Sequence, residues 1–206
     1  MALIKLRVLD NGYLALVDFM GADKAVIQAA RRCYLSEPQG EESDAKLIRH
    51  LILKGHGTPF EHAYFTFDVK CPIFVARQWM RHRIGSYDEM SLRYCLAKKN
   101  YYTPENLTGA DLERYKKSID EAFATYEELV KSKVKREQAR GVLPLSVYTL
   151  FYWTVNARSL VNFLTLRLDK SAQFEMREYA KAALQIFKEK MPVTAKAFEE
   201  KLKPKE

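Results

Sequence analysis

Two β-rich runs, residues 4–9 and 13–20, flank the triplet Asp10-Asn11-Gly12. Asn-Gly accepts the positive φ angles of a tight turn, so the runs predict a β-hairpin. The next β-rich run, 64–69, comes only after two helical stretches. The first of these is capped by Asp23 and runs through Ala25, Ile27 and Ala30 to about Cys33. The second is capped by Ser43 or Asp44, carries Leu47, Ile48, Leu51 and Ile52 at helical spacing, and stops at Gly55. Residues 36–42, rich in Pro, Gly and acids, read as the loop between them. Strands and helices thus do not alternate as βαβ units, which excludes a doubly wound parallel sheet. The expected class is α+β, a mainly antiparallel sheet with packed helices. A chain of 206 residues is long enough to bury a real core, and 1–206 reads as one domain with no repeat or linker.

Further along, Pro72 opens an apolar run that suits the first turn of a helix to about Arg83, ended by Gly85-Ser86. Residues 87–94 then read as extended. Residues 101–106, with the pair Tyr101-Tyr102, form a loop. Leu112, Tyr115, Ile119, Ala122, Tyr126 and Leu129 mark an amphipathic helix. A shorter helix reaches Arg140 and ends at Gly141. Residues 147–155 form a buried strand, Asn156 caps a helix to Arg167, residues 176–187 make the final amphipathic helix, and 201–206 fray.

The chemistry concentrates in residues 78–94, Gln78-Trp79-Met80-Arg81-His82-Arg83-Ile84-Gly85-Ser86-Tyr87-Asp88-Glu89-Met90-Ser91-Leu92-Arg93-Tyr94. On a helix, Gln78, Arg81 and His82 share a face. On a strand, Glu89, Ser91 and Arg93 point one way and Asp88 the other. Two such elements meeting at a turn would gather Gln78, Arg81, Glu89, Ser91 and Arg93 into one patch. Forked guanidiniums grip phosphate at two points, and Gln and Ser match the edge of an imide, so the set suits a pyrimidine nucleotide. In the helix after Asn156, the residues Leu160, Phe163, Leu164 and Arg167 form one stripe. Arg167 therefore sits where an apolar residue is expected. It requires a partner: a core carboxylate, water at the helix end, or an anion or polarised carbonyl.

The formal charge of +8 favours anionic partners. A basic nucleic-acid-binding module is the rival reading, but the cations form no single run and no binding motif appears. Cys33, Cys71 and Cys95 have no paired spacing and read as free thiols of a reducing cytoplasm; Cys71 and Cys95 lack an adjacent base and read as packing thiols. His50, His56 and His62 fit no metal-ligand spacing. No Gly-x-Gly-x-x-Gly follows a strand, so a dinucleotide would be held without a Rossmann turn.

Arg81-His82-Arg83, then seven residues, then Ser91 with Arg93-Tyr94, resembles the signature RHRxxSxNxxSxRY of the flavin-dependent thymidylate synthases. Asp88 stands where that pattern has Asn. Residues 56–62, His-Gly-Thr-Pro-Phe-Glu-His, resemble the family's H-x-T-P-F-E-H segment, and 156–167 its second conserved stretch. The resemblance spans about residues 9–192. It implies reductive methylation of dUMP to dTMP. FAD is the implied cofactor, NADPH the reductant and 5,10-methylenetetrahydrofolate the carbon donor. The implied assembly is a homotetramer with shared sites, taking small-molecule substrates and neither nucleic acid nor membrane. It assigns the catalytic role of ionising uracil N3 to Arg167. It assigns dUMP binding to Gln78, Arg81, Glu89, Ser91, Leu92, Arg93, Arg140 and Arg167, with Arg140 reaching in from a neighbouring chain. The implied FAD contacts are Thr58, Glu61, Arg81, His82, Arg83, Ile84, Glu89, Asn156, Arg158 and Asn162. His56 and Tyr94 fall in the folate region, and no metal is implied. Ser171 and Cys33 replace a frequent His and a flavin-contacting Ser.

Overall fold

The structure, a computed structural model, describes residues 2–202. Five strands form one antiparallel sheet in the order β1-β2-β3-β5-β4. They are β1 (Ile4–Val8), β2 (Gly12–Met20), β3 (Tyr64–Pro72), β4 (Ser86–Glu89) and β5 (Tyr148–Asn156). Eight α-helices accompany them among the described residues: α1 (Ala22–Arg32), α2 (Glu41–Lys54), α3 (Ile73–Trp79), α4 (Gly109–Lys131), α5 (Arg136–Ala139), α6 (Ala157–Arg167), α7 (Phe174–Lys190) and α8 (Pro192–Leu202). The α+β class holds, and the sheet is antiparallel throughout.

The hairpin forms where expected, with Val8 opposite Gly12, but the connection is residues 9–11: Leu9 takes the positive φ, 58°, and Gly12 opens β2 in place of turning the chain. Gly12 is required there: a Cβ would lie 2.0 Å from the Tyr179 hydroxyl and 2.8 Å from the Lys70 carbonyl oxygen. Alternation decides which face of the sheet is buried. Leu14, Leu16, Phe67, Val69, Phe151 and Trp153 point into the core. On the opposite face, Thr66 and Thr154 pair their hydroxyls at 3.0 Å and Tyr13 donates to Asp68 at 2.9 Å. Against the apolar face pack α7, α6 and α3. A smaller cluster of Ile119, Phe123 and Val147 lies under α4.

Several sequence expectations are corrected by long-range contacts. Asp23 does not cap α1, whose N-cap is Gly21; its carboxylate accepts from the Val193 and Thr194 amides at 2.9 and 3.0 Å and so caps α8. Asp44 is buried against Arg31, whose Nε and Nη2 both donate to its Oδ1, at 2.9 and 2.6 Å, and Gly40 is the N-cap of α2. Helix α3 ends at Trp79, short of Arg83. Residues 176–187 belong to α7, which is not the last helix, since α8 follows with Pro192 at its start. Lys201 and Leu202 complete α8, and the rest of the expected frayed end lies outside the described residues. Gly141 sits within a short 3-10 turn, Arg140–Val142, that continues α5. Tyr102 is buried, and Cys95 is exposed where packing was expected; Cys71 is buried as expected. Gly55 closes α2 at φ 75°, and Asn156 caps α6 by accepting from the Ser159 amide at 2.8 Å, both as read. Among the described residues, no helix is long and apolar enough to cross a membrane.

Candidate active site

Trp79 organises the site. Its buried indole packs edge-on against Trp153 at 5.2 Å and lies 5.0 Å from Phe163 and 5.6 Å from Tyr179. A side chain this large, fixed from three elements, sets where α3 stops. The next residues turn back over it. The His82 amide donates to the Trp79 carbonyl at 3.0 Å, and the Tyr87 hydroxyl, from β4, donates to the His82 carbonyl at 2.7 Å. Gly85 passes so close to β5 that a Cβ would sit 3.0 Å from the Thr154 carbonyl oxygen and from Trp153 Nε1. Arg81, His82, Arg83 and Ile84 are thereby held beside α6 on a tight turn, not on the helix face expected for Arg81 and His82.

That turn, Glu61 from the 3-10 turn Thr58–His62, and the outward side of α6 enclose a cavity of about 950 Å³. Its walls include Arg81, His82, Arg83 and Ile84 on one side and Asn156, Arg158, Asn162 and Arg167 on the other. Arg158 pairs with Glu61, and its stem lies over Gly57, where a Cβ would come within 2.6 Å of Nε. A second cavity of about 560 Å³ is lined by Phe74, Arg77, Gln78, Met80, Arg81, Leu145 and Arg167. Arg81 and Arg167 belong to both walls. A third, of about 290 Å³, contains His56 with Phe60 and Val161 and shares Arg158 and Asn162 with the first.

Arg167 resolves the question of its partner. Nε donates to His82 Nε2 at 2.9 Å and Nη2 donates to the Gln78 carbonyl at 3.0 Å. Both acceptors are neutral. Among the described residues, no salt bridge engages Arg81, Arg83 or Arg167, although Arg93 and Arg158 each have a carboxylate. Burial, and then the neighbouring Arg81 charge, lower the pKa of Arg167. Burial, and then the Arg167 charge, hold His82 down at about 4, so its imidazole is neutral near pH 7. The His82 ring stands edge-on to Phe163 at 5.0 Å. Uncompensated guanidiniums around a partly closed cavity attract anions, since the low dielectric strengthens the interaction.

Eight of the ten residues assigned to the flavin line the 950 Å³ cavity; Thr58 and Glu89 do not. For the nucleotide, Gln78, Arg81 and Arg167 meet at the 560 Å³ cavity. Glu89, Ser91, Leu92, Arg93, Tyr94 and Arg140 line neither, so the single patch expected from the motif does not form within one chain. Strand β4 ends at Glu89, whose Oε1 accepts from the Thr149 hydroxyl at 2.6 Å. The extended run to Tyr94 is replaced by a turn, with the Tyr94 and Cys95 amides donating to the Ser91 carbonyl at 3.0 and 3.1 Å. Arg93 instead pairs with Glu137 at 3.0 Å, and Arg136 donates to the Tyr94 carbonyl at 2.8 Å. This second cluster joins the motif's end to the segment that carries Arg140. Sequence reading missed Arg77, Phe74 and Leu145 in the nucleotide-side wall. Arg77 was detectable, because it lies one turn from Arg81; Leu145 was not, because only the fold brings it there. Ser171 donates to Asp169 through both its amide and hydroxyl, at 2.8 and 2.6 Å.

A non-Rossmann α+β fold that gathers unpaired arginines and asparagine amides around dinucleotide-sized space defines a nucleotide- or cofactor-binding protein. Residues 15–193 match the family model described as thymidylate synthase complementing protein. The flavin-dependent thymidylate synthase of Thermotoga neapolitana is 48% identical over 203 residues, 95% of this chain and 94% of that protein. That of Thermosipho africanus is 49% identical over 211 residues, 93% and 92%. A solved structure of the UMP/dUMP methylase PolB from Streptomyces cacaoi, bound with 5-Br dUMP, aligns with a TM-score of 0.87 at 32% identity, covering 95% of this chain and 97% of that one. The chain belongs to the thymidylate synthase complementing protein family, that of the flavin-dependent thymidylate synthases.

Proposed function

We propose that this protein methylates dUMP reductively to dTMP, with FAD as cofactor, NADPH as reductant and 5,10-methylenetetrahydrofolate as carbon donor. The observation that carries the reading is the wall of Arg81 and Arg167 shared by the 950 and 560 Å³ cavities. One cavity suits a large anionic cofactor and the adjoining one a small nucleotide. The donor set fits FAD: Arg81, Arg83 and Arg158 offer charge to a pyrophosphate, and Asn156 and Asn162 offer amides to ribose or ring heteroatoms. When bound, the reduced flavin supplies the hydride that the transferred carbon needs.

Arg167 carries the chain's own chemistry. A guanidinium beside the pyrimidine favours loss of the N3 proton and pushes electron density toward C5. Among the described residues, none of Cys33, Cys71 and Cys95 lines either cavity, which supports a route without a thiol adding at C6. Burial pushes the Cys71 thiol well above its ordinary value, and Cys95 lines neither cavity. Gln78 and Arg81 orient the nucleotide. Ser91 and Arg93, together with Arg140 on the segment that contacts them, support a site completed by a neighbouring chain of a homotetramer, because such residues suit a phosphate yet line neither the 950 nor the 560 Å³ cavity of their own chain. His56, in the 290 Å³ cavity beside the flavin wall, is placed for the folate. Purified protein is expected to show flavin absorbance and to form dTMP only when NADPH and methylenetetrahydrofolate are both present. A colourless protein that FAD cannot reconstitute would overturn the proposal.

A further inference from the structure

The contact between His82 and Arg167 calls for an explanation that cofactor or nucleotide contact does not supply. Arg167 is half-buried at the end of α6 and carries a charge with no carboxylate against it. A buried guanidinium is ordinarily held by an acid, which fixes it and neutralises it together. Here it is fixed by an imidazole nitrogen at 2.9 Å and a peptide carbonyl at 3.0 Å. Both restrain its plane, and neither cancels its charge.

We propose that His82 is a positioning residue for Arg167, a neutral acceptor that orients the guanidinium while leaving its full positive charge directed at the pyrimidine. This rests on the reading of Arg167 as the group that polarises the uracil ring. The geometry around His82 suits the task. With Nε2 accepting, the ring proton lies on Nδ1. Phe163 stands edge-on to the ring at 5.0 Å, and Tyr87 donates to the His82 backbone carbonyl at 2.7 Å, so both the ring and its backbone are restrained beside Arg167. The neutral state is enforced, because burial and the Arg167 charge both oppose protonation. With Nε and Nη2 engaged on His82 and Gln78, Nη1 remains for a ligand at the wall shared by the two cavities.

The test uses the full-length flavin-loaded protein and 5-bromo-dUMP, whose ultraviolet absorbance changes when N3 ionises. Wild-type protein is expected to ionise the bound analogue at lower pH than free in solution. His82→Gln keeps a neutral acceptor near the position of Nε2 and is expected to preserve most of that shift. His82→Glu keeps an acceptor but cancels the charge, and His82→Leu removes the acceptor. Each is expected to bind the analogue yet weaken its N3 acidity about tenfold or more, the scale of a hydrogen bond to a charged group. A purely structural role for His82 predicts no such order: Leu and Gln behave alike, with no penalty specific to the added carboxylate. Retention of the wild-type shift by His82→Glu, or its loss by His82→Gln to the level of His82→Leu, overturns the proposal. If His82→Leu fails to fold, the contrast between Glu and Gln decides. A wild-type protein that binds 5-bromo-dUMP without shifting its ionisation also overturns it. One that binds no 5-bromo-dUMP and forms no dTMP overturns the substrate reading beneath it.

Discussion

At the contact between His82 and Arg167 an imidazole nitrogen accepts from the guanidinium at 2.9 Å, while burial first and then the Arg167 charge lower the His82 pKa. The folded pKa of His82, about 4, lies below its ordinary 6.5, so the unfolded chain binds the proton more tightly. Stability contributed by neutral His82 is therefore fully present above pH 6.5 and is lost as pH falls from 6.5 toward 4. Urea unfolding at stepped pH should show this slope, and His82→Gln should flatten it in that window. Arg167→Lys keeps a charge but loses the fork that engages His82 and Gln78 together. It should lower kcat/KM for dUMP roughly ten- to a hundredfold, measured as dTMP formation. A variant with unchanged kcat/KM would exclude Arg167 from the reaction.

Elements were legible in the sequence where their signals are local. The Asn156 cap and the Gly55 stop lie where the residues place them, because each acts on its own backbone within a few positions; the hairpin also forms, although Leu9 and not Asn11-Gly12 carries its positive φ. Asp23 and Asp44 misled for a related reason. Each is a good capping residue, but each is claimed by a distant partner, α8 or Arg31. Asp23→Ala should thus destabilise a helix nearly the whole chain away, by about 1 kcal/mol. Hydrogen exchange should accelerate first at the Val193 and Thr194 amides, not in the first turn of α1. Gly12→Ala should cost more, about 2 kcal/mol, because its Cβ would collide with the Tyr179 hydroxyl and two backbone carbonyls. Thermal unfolding would measure it. Helix α3 is the plainest failure of periodicity, since its pattern runs on past Trp79 while the chain turns there to bury the indole.

At the scale of the whole molecule, the site residues fall into two groups. Gln78, Arg81, His82 and Arg167 line two cavities that share Arg81 and Arg167, whereas Ser91 and Arg93 lie in a second cluster with Glu137 and Arg136, on the segment that leads to Arg140. If chains share sites as proposed, Arg140→Ala and Arg167→Ala proteins should each be nearly inactive alone, and mixed subunits should regain part of the dTMP-forming activity. No regain after verified subunit exchange would place each site within one chain. The amino-acid sequence by itself determined the class of fold and the family, and it named eight residues that the fold brings around one cavity, because alternation and a spaced motif are properties of neighbours along the chain. Only the tertiary structure decided that Asp23 serves α8, that the motif's two arms part company after Glu89, and that Arg167 rests on a neutral histidine. Those outcomes depend on which distant groups compete for the same hydrogen bond or the same buried volume, and residue spacing holds no record of that competition.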